Sequence, residues 1–376
     1  MNYIPFNKPH MTGKELWYIS EAHHAGKLAG DGKFTKMCHQ WLERQTGSLK
    51  VLLTHSCTAS LEMAAILANL ELGDEVIMPS YTFVSTANAF VLRGAIPVFV
   101  DIRADTLNID ETLVEAAITK RTRAIVPVHY AGVGCEMDTL QIIAQKHQLL
   151  LIEDAAQGVM ARYKGKSLGS IGDLGCFSFH ETKNVISGEG GALLINNPEF
   201  SERAEVIREK GTNRNQFFRG EVDKYTWVEQ GSSYLPGEII AAFLYAQLQE
   251  AQQITSLRMD IWETYHNLLE PLEKAGKLRR PIVPSHCEHN AHMYYILADD
   301  LLTRTELISY LKDKGINAVF HYVPLHTSPA GKKYGRNYGD MTLTDSLSDR
   351  IIRLPLWIGL ADVSIVVATI MEFFQM

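Results

Sequence analysis

Two carboxylates follow an apolar segment near the middle of the chain. Leu149 to Ile152 predicts a buried strand, and Glu153 and Asp154 come directly after it, before a run of small residues. In open α/β sheets, ligands bind beyond the carboxyl ends of the strands, so an acid at position 154 would face a cleft. The alternative is structural, because Asp is also a favoured N-cap residue.

A lysine follows the next predicted strand. Cys176 to Phe179 forms the apolar run, Lys183 comes in the loop after it, and glycines mark a bend at 188–191. A lysine beside such a bend, in a partly desolvated pocket, has a lowered pKa and a nucleophilic amine. A solvent-exposed loop lysine is the alternative.

Hydroxyl and small side chains fill the first turn of the helix predicted after Val51 to Leu53. Residues 56–60 read Ser-Cys-Thr-Ala-Ser. Free backbone N–H groups and the positive end of the helix dipole make such a terminus suited to a phosphate, although serine and threonine are also ordinary caps. Neither Gly-x-Gly-x-x-Gly nor Gly-x-x-x-x-Gly-Lys opens a helix, which argues against dinucleotide and nucleoside-triphosphate sites.

The three segments together match the needs of one cofactor, pyridoxal 5′-phosphate (PLP). The phosphate requires an anion cradle, the aldehyde requires a lysine, and the ring nitrogen requires a carboxylate that keeps it protonated as an electron sink. Residues 56–60, Lys183 and Asp154 would supply these functions. The combination predicts a PLP site.

Alternation of strands and helices predicts the scaffold of this site, an α/β fold with a large, mixed, mostly parallel sheet. A long helix is predicted from Glu238 to Leu272, as a bridge to a smaller C-terminal α/β unit. We therefore predict a large cofactor-binding domain at 1–250, including an N-terminal segment, and a small domain at 251–376. The predicted elements are strands at 51–53, 75–78, 96–100, 124–128, 149–152, 176–179, 192–195, 292–297 and 318–322, and helices at 60–69, 85–92, 137–147, 305–314, from 344 and from 363.

Composition narrows the class of protein further. The 376 residues carry a net charge of −7, which gives no basic excess for nucleic acid or an anionic membrane. The start has no apolar core of signal-peptide length, and no membrane-spanning run of about 18 uncharged apolar residues occurs. The five scattered cysteines are typical of reduced thiols. We expect a cytoplasmic protein without nucleic-acid or membrane partners.

Several motifs resemble those of the DegT/DnrJ/EryC/StrS family of nucleotide-sugar aminotransferases, and the similarity spans nearly the whole chain. They are Asp154-Ala155-Ala156-Gln157, Ser178-Phe179-His180 with Lys183-Asn184, and Gly188-Glu189-Gly190-Gly191-Ala192. The resemblance implies PLP-dependent transferase fold type I, which is aspartate aminotransferase-like, and a homodimer with shared active sites. It also implies that Lys183 binds the cofactor aldehyde.

The same resemblance implies a set of cofactor contacts. Asp154 would face the pyridine nitrogen, Gln157 would bond the ring hydroxyl, and Phe83 would stack on the ring. The family's phosphate contacts fall here on Thr58, Ala59 and Ser178. Many relatives have a phosphate-binding asparagine, supplied by the neighbouring subunit, where this chain has Ser233, whose reach is shorter.

The resemblance also implies a reaction. Residues 56–65, 79–88, 179–184 and 208–214 are most similar to the branch that moves the amino group of L-glutamate to C4 of dTDP-4-dehydro-6-deoxy-D-glucose, for enterobacterial common antigen. Relatives that dehydrate sugars have histidine in place of Lys183, so lysine favours amino transfer. The alternatives are amination at C3, the gluco epimer at C4, or a non-catalytic binding or regulatory protein on this fold.

Several further residues are candidates for contacts with the substrate. His180 would assist Lys183 or pack as a strand histidine. The basic, amide and aromatic loop at 210–220, with Arg214 and Arg219, would clamp a diphosphate or cross a dimer interface. The remaining candidates are His321, Tyr322 and His326. Their segment resembles one that closes over the sugar nucleotide in the family; the alternative is that the histidines are surface residues.

A cluster at 286–292 combines His286, Cys287, His289 and His292, which invites a zinc interpretation. Its spacing argues against zinc, because no second ligand group follows at finger-like distance and His292 is predicted to enter a strand. We expect no metal site.

Overall fold

The computed structural model describes residues 3–360 and 362–375. Most helices alternate with strands in the first two thirds of the chain, as the apolar pattern predicts. The helices are α1 (Glu15–His24), α2 (Lys33–Thr46), α3 (Cys57–Leu67), α4 (Val84–Val91), α5 (Glu111–Ala117), α6 (Met137–His147), α7 (Ser201–Arg208), α8 (Arg214–Phe218), α9 (Glu238–Gln249), α10 (Ala251–Leu268), α11 (Glu270–Lys274), α12 (Leu301–Asp313), α13 (Pro329–Tyr334), α14 (Thr342–Arg350) and α15 (Val363–Gln375).

The strands form one eight-stranded sheet and two small sheets. The large sheet has the order β1-β9-β8-β5-β4-β2-β3-β12, in which only β9 runs antiparallel to its neighbours. The strands are β1 (Lys50–Thr54), β2 (Glu75–Pro79), β3 (Ile96–Val100), β4 (Thr122–Ile125), β5 (Leu150–Asp154), β6 (Arg162–Tyr163), β7 (Lys166–Ser167), β8 (Leu174–Ser178), β9 (Gly191–Ile195), β10 (Cys287–Glu288), β11 (Tyr294–Leu297), β12 (Arg336–Asn337) and β13 (Ile351–Leu354).

Side chains alternate between two hydrophobic cores, one on each face of the large sheet. Val51 and Leu53 of β1 lie in one core and Leu52 lies in the other, as the period of two in a strand requires. Helices cover both faces, and this explains why the strands are apolar throughout. The predicted large, mixed, mostly parallel sheet is confirmed.

The register of the sheet brings three strand ends together at one edge. Gly191, the first residue of β9, pairs with Thr54 on β1 and with Ser178 on β8. On the other side of β8, Asp154 at the end of β5 pairs with Cys176. The three segments that the sequence singled out therefore leave the sheet side by side.

A third hydrophobic core lies in the C-terminal part of the chain. It contains Trp262 and Tyr265 of α10 together with residues of β11, β13 and α15. The N-terminal segment joins it, because Ile4 packs against this core and its N–H donates to the Gly315 carbonyl at 2.9 Å. The domain division at 250/251 stays a prediction, although Glu250 does separate α9 from α10.

Two predicted elements have a different form. The helix predicted over 238–272 is three helices, because Glu250 departs from helical geometry at φ −104° and ψ 8° and a new helix begins at Glu270, with Pro271 in its first turn. The strand predicted at 318–322 is an irregular segment that makes one bridge, Val319 to Arg353. Tyr322 has φ +29°, which is incompatible with a strand.

Two further sequence expectations concern membranes and thiols. In residues 3–360 and 362–375 we find no helix with the length and apolarity needed to cross a bilayer. All five cysteines are buried and unpaired.

Glu75, at the start of β2, connects neighbouring segments at the end of the sheet opposite to the carboxyl ends of the parallel strands. Its buried carboxylate accepts hydrogen bonds from Arg336 on β12 at 2.9 and 3.0 Å, and from Thr119 and Arg121. These bonds, led by those from Arg336, lower the pKa of Glu75 to about 2. The charged carboxylate therefore stabilises the fold at neutral pH.

We expect Glu75→Gln to lower the free energy of unfolding by about 2 kcal/mol at pH 7, the typical value for hydrogen bonds to a charged group. Because the folded-state pKa is depressed, this contribution is complete above the ordinary pKa of 4.5 and is lost as the pH falls towards about 2. Urea unfolding at several pH values measures it. Glu71→Gln, at an exposed position nearby, is the control; a difference between wild type and Glu75→Gln that stays constant below pH 4.5 would contradict the assignment.

Candidate active site

A cavity of about 810 Å³ opens at the sheet edge where the three strand ends meet. One wall comes from the loops after β1, β2, β5 and β8. The opposite wall comes from α10, the segment 292–293, the segment 319–322 and β13. Phe6 and Asn7 of the N-terminal segment also line it, so the cavity is bounded by distant parts of the sequence.

Lys183 lies in the cavity wall on the tight loop that joins β8 to β9. Its N–H donates to the His180 carbonyl at 2.9 Å, and the Glu181 N–H donates to Gly188 at 2.8 Å, which closes the loop. Burial lowers the pKa of Lys183, and the neighbouring Cys57 and Asp154 oppose that shift. The structure thus gives Lys183 the partly desolvated amine that the sequence predicts, rather than a solvated loop lysine.

Asp154 faces the same cavity from the end of β5, and the structure fixes its carboxylate from two sides. Thr86 donates to Oδ2 at 2.7 Å, and the Ala156 N–H donates to Oδ1 at 3.1 Å. Because the Thr86 hydroxyl donates to Asp154, Thr82 must donate to Thr86 across their 2.7 Å contact. The chain of hydroxyls leaves Asp154 oriented and available to a ligand.

Gln157 lies beside Asp154 with a fixed amide orientation. Its Oε1 accepts from the Ala131 N–H at 2.7 Å, so its Nε2 points to the Tyr322 hydroxyl at 3.2 Å. Phe83 also lines the cavity, is 55% exposed, and has its ring 6.2 Å from that of Tyr322. An open aromatic face beside a carboxylate and an amide suits a planar heterocycle.

Hydroxyl groups line the N-terminus of α3. Thr58 Oγ1 lies 2.7 Å from Ser85 Oγ, and both residues line the cavity with Ser56 and Ser178. Ala59 is placed differently: its side chain is buried outside the cavity, and its N–H donates to Ser56 Oγ at 3.1 Å. The terminus therefore offers hydroxyls and a helix dipole to a phosphate, with the Ala59 N–H already used in capping.

Some of the predicted substrate residues lie at the cavity and others do not. His180 lies at the cavity rim in a loop, with Nδ1 2.9 Å from Thr182 Oγ1, so it is not a packed strand histidine. His321 and Tyr322 line the cavity. Burial lowers the pKa of His321, and its Nδ1 is 2.7 Å from the Tyr130 hydroxyl.

Four predicted residues do not reach this cavity. His326 is held by Ser80 at 2.7 Å and by Asp345 at 3.2 Å, behind the cavity wall. Arg214 and Arg219 pair instead with glutamates on their own side of the molecule. Ser233 is exposed and forms a bridge with Glu209. Within this single chain, the geometry gives these residues no ligand contact.

The histidine and cysteine cluster at 286–292 does not converge. His286 contacts Glu136, Cys287 contacts the Gly134 carbonyl, His289 packs on Trp262, and His292 contacts Asn184. The four side chains serve four separate contacts.

Sequence reasoning missed four residues that line the cavity. Thr86, Arg258, His292 and Arg353 line it, yet none stands in a recognisable pattern. The one available signal was indirect, since Thr86, in the first turn of α4, follows the hydroxyl of Thr82 in the preceding loop by four residues. The arginines come from α10 and β13, and only tertiary packing brings them to Lys183.

The comparisons with known proteins agree with this chemistry. A model of the DegT/DnrJ/EryC1/StrS aminotransferase family matches residues 9–371. The chain is 38% identical to the uncharacterised protein MJ1066 of Methanocaldococcus jannaschii, covering 84% of this chain and 83% of that protein. It is 32% identical to the spore coat polysaccharide biosynthesis protein SpsC of Bacillus subtilis, covering 96% and 94%.

Solved structures share the fold. Spr1654 of Streptococcus pneumoniae, described as a sugar aminotransferase and solved in its PLP form, superposes with a TM-score of 0.89 at 27% identity. The match covers 100% of this chain and 99% of Spr1654. A PMP form of Spr1654 has the same TM-score. The predicted PLP-dependent transferase fold is confirmed.

The donor set described above fits PLP. An amine, a carboxylate held in a fixed orientation, an amide and a hydroxyl-lined helix terminus surround one cavity, as the aldehyde, ring nitrogen, ring hydroxyl and phosphate require. Thr86 positions the carboxylate, so the structure makes its hydroxyl important for holding the cofactor.

We expect Thr86→Val to weaken PLP binding about tenfold, because Asp154 loses one hydrogen bond to its charged carboxylate while the side-chain shape is kept. Titration of the cofactor-free protein with PLP, followed by fluorescence, measures the dissociation constant. Thr305→Val on exposed α12, where the hydroxyl bonds only its own helix, is the matched control. Equal PLP affinity in wild type and Thr86→Val would refute the positioning role.

Proposed function

Because the chain belongs to the DegT/DnrJ/EryC1/StrS aminotransferase family, we propose that it transfers the amino group of L-glutamate to C4 of dTDP-4-dehydro-6-deoxy-D-glucose. The products are dTDP-4-amino-4,6-dideoxy-D-galactose and 2-oxoglutarate. The enzyme class and cofactor follow from the family: the protein is a PLP-dependent sugar aminotransferase. The donor, the nucleotide and the carbon that is aminated are the proposal.

When bound, PLP supplies an electron sink for negative charge that develops on the carbon bearing the transferred nitrogen. Lys183 would hold the cofactor at its aldehyde, Asp154 would pair with the ring nitrogen, and Gln157 would bond the ring hydroxyl. Phe83 would cover the ring, and Thr58 and Ser178 would hold the phosphate. All of these residues line the same cavity.

The buried amine of Lys183 is the observation that carries the proposal. Burial lowers its pKa, so more of the amine is unprotonated near neutral pH than in a solvated lysine. An unprotonated amine inside the cavity can take the proton from the α-carbon of glutamate and later deliver a proton to C4 of the sugar. His180, at the rim, would lie beside the entering sugar.

The choice of substrate rests on resemblance and on names of relatives. The stretches 56–65, 79–88, 179–184 and 208–214 resemble the C4-aminating branch that serves enterobacterial common antigen. SpsC is named for polysaccharide biosynthesis. A sugar nucleotide destined for a cell-surface polysaccharide is therefore the favoured acceptor, and we propose that it is aminated in the cytoplasm.

A homodimer would complete the nucleotide end of this site. Arg214, Arg219 and Ser233 lie outside the cavity of their own chain, and the loop around them exposes Phe218, 67%, and Trp227, 77%. Such exposed aromatic side chains are typical of an interface. We propose that this loop reaches the cavity of a second copy.

The decisive experiment incubates the purified holoenzyme with L-glutamate and the keto sugar and assigns the product by NMR. We expect 2-oxoglutarate and an axial amine at C4. An equatorial amine would assign the gluco epimer, and amination at C3 or no turnover would contradict the proposal. A colourless protein that PLP cannot reconstitute would favour a non-catalytic binder.

Lys183→Arg provides the chemical control for the same assay. It keeps the positive charge and most of the volume but removes the titrating amine, so we expect kcat to fall at least about 1,000-fold. The holoenzyme treated with borohydride should carry the cofactor on the peptide that contains Lys183, as mass spectrometry can test. Labelling of another lysine would refute the assignment.

A further inference from the structure

Arg353 is an incompletely bonded cation in the cavity wall. Its guanidinium makes one long hydrogen bond, from Nη2 to the Phe320 carbonyl at 3.4 Å, and its buried Nε has no partner. Within the described residues no carboxylate lies within ion-pair distance of it, whereas Arg336, the preceding arginine but one, pairs with Glu75. A desolvated charge without a counter-ion is costly, so an anion bound there would stabilise the site.

The surroundings of Arg353 keep its donor groups open. The guanidinium carbon lies over the Phe6 ring, 4.7 Å from the ring centroid. A cation–π contact supplies neither a counter-ion nor an oxygen acceptor, so the guanidinium N–H groups still lack strong hydrogen-bond acceptors. Backbone bonds between Arg353 and Val319, at 2.7 and 3.1 Å, fix the strand that carries it.

Charge in the cavity favours an anion beside Lys183. Three cations, Lys183, Arg258 and Arg353, line the cavity against two carboxylates, Asp154 and Glu189. Glu189 is at the rim with its side chain 70% exposed. Arg353 is close enough to Lys183 that its charge contributes to lowering the lysine pKa.

Arg258 has a different task from Arg353. Its Nε and Nη2 donate to the carbonyls of Ala291 and His292 at 3.1 and 2.8 Å. It is therefore anchored to the main chain and holds the segment that bears His292. Arg353 is the guanidinium with capacity left for a ligand.

We infer that Arg353 holds the α-carboxylate of the amino donor and thereby presents the donor's α-carbon to Lys183. A guanidinium fork matches a carboxylate with two parallel hydrogen bonds, which fixes orientation as well as affinity. The sugar nucleotide fits this position less well, because its diphosphate is attached at C1, across the ring from the C4 atom that must approach Lys183. This inference rests on the proposed amino transfer from glutamate.

Two half-reactions of the holoenzyme separate donor from acceptor. Glutamate alone converts bound PLP to pyridoxamine phosphate with release of 2-oxoglutarate, and the keto sugar alone reverses the cofactor change. We expect Arg353→Gln to raise the glutamate concentration that gives half-maximal rate about 10- to 100-fold, because the variant loses hydrogen bonds to a charged carboxylate. The sugar half-reaction should stay within about twofold of wild type.

Binding of maleate, an unreactive dicarboxylate, gives a readout besides turnover. Calorimetry on the holoenzyme should show the maleate dissociation constant rising in parallel with the glutamate effect. Arg353→Lys keeps the positive charge but loses the two parallel donors of the guanidinium. Its affinities for glutamate and maleate should therefore lie between those of wild type and Arg353→Gln. If the glutamine variant fails to fold, the lysine variant is used for the test. Arg350→Lys is the matched control, since Arg350 bonds the Ala298 carbonyl outside the cavity.

The outcomes separate this inference from the proposed function. Unchanged glutamate and maleate affinities in both Arg353 variants would overturn it, and so would a defect confined to the sugar half-reaction. If wild type fails to react with glutamate, the proposed donor is wrong, while the maleate titration still decides whether Arg353 holds a carboxylate.

Discussion

The site depends on one close approach of main chains. A Cβ at Gly191 would lie 2.4 Å from the carbonyl carbon of Ser56 and 2.5 Å from the amide nitrogen of Cys57. No side chain fits there, so β9 passes directly beneath the start of α3. Because Gly191 also pairs with Ser178, the hydroxyl-lined helix terminus and the loop that bears Lys183 are held at a fixed separation. The cavity takes its shape from that separation.

Opposing effects act on the charge of Lys183 in this cavity. Desolvation disfavours the charged form of Lys183, while Cys57 and Asp154 favour it. Asp154 is itself held by Thr86 and a backbone N–H, which keeps the opposing charge in a defined place. Two arginines on the far wall then leave the cavity with a surplus of positive charge, suited to the proposed donor and acceptor, which are both anions.

Local patterns in the sequence predicted the near wall of the site because strand ends carry their own signals. Three such signals each occupy fewer than about ten residues. They are an apolar run followed by Asp154, another followed by Lys183, and a hydroxyl-rich turn at Thr58. A parallel sheet turns such separate ends into neighbours, and most of the strands were placed correctly for the same reason. The domain boundary and the nucleotide contacts lie beyond such patterns.

Arg258 and Arg353 on the far wall could not be predicted, since both are ordinary arginines in the sequence until the elements of the third core pack together. Tyr322 illustrates a second limit. Its segment has the composition of a strand, but Tyr322 adopts φ +29°, a conformation that costs of order 1–3 kcal/mol, while a hydrogen bond from Gln157 holds its side chain in the cavity wall. Tertiary contacts overrode the local preference there, whereas the break before Pro271 is a local effect of the proline ring.

The position of the N-terminal segment affects when the chain can fold during translation. The Pro5 carbonyl accepts a hydrogen bond from Trp357 Nε1, a partner 352 residues further along the chain. At translation rates of roughly 5–20 residues per second, the tryptophan leaves the ribosome about 20 to 70 s after the proline. Since Phe6 and Asn7 line the cavity, this part of its wall is made long before the tryptophan that holds it, and the nascent chain stays unable to form a complete cavity until that tryptophan has been synthesised.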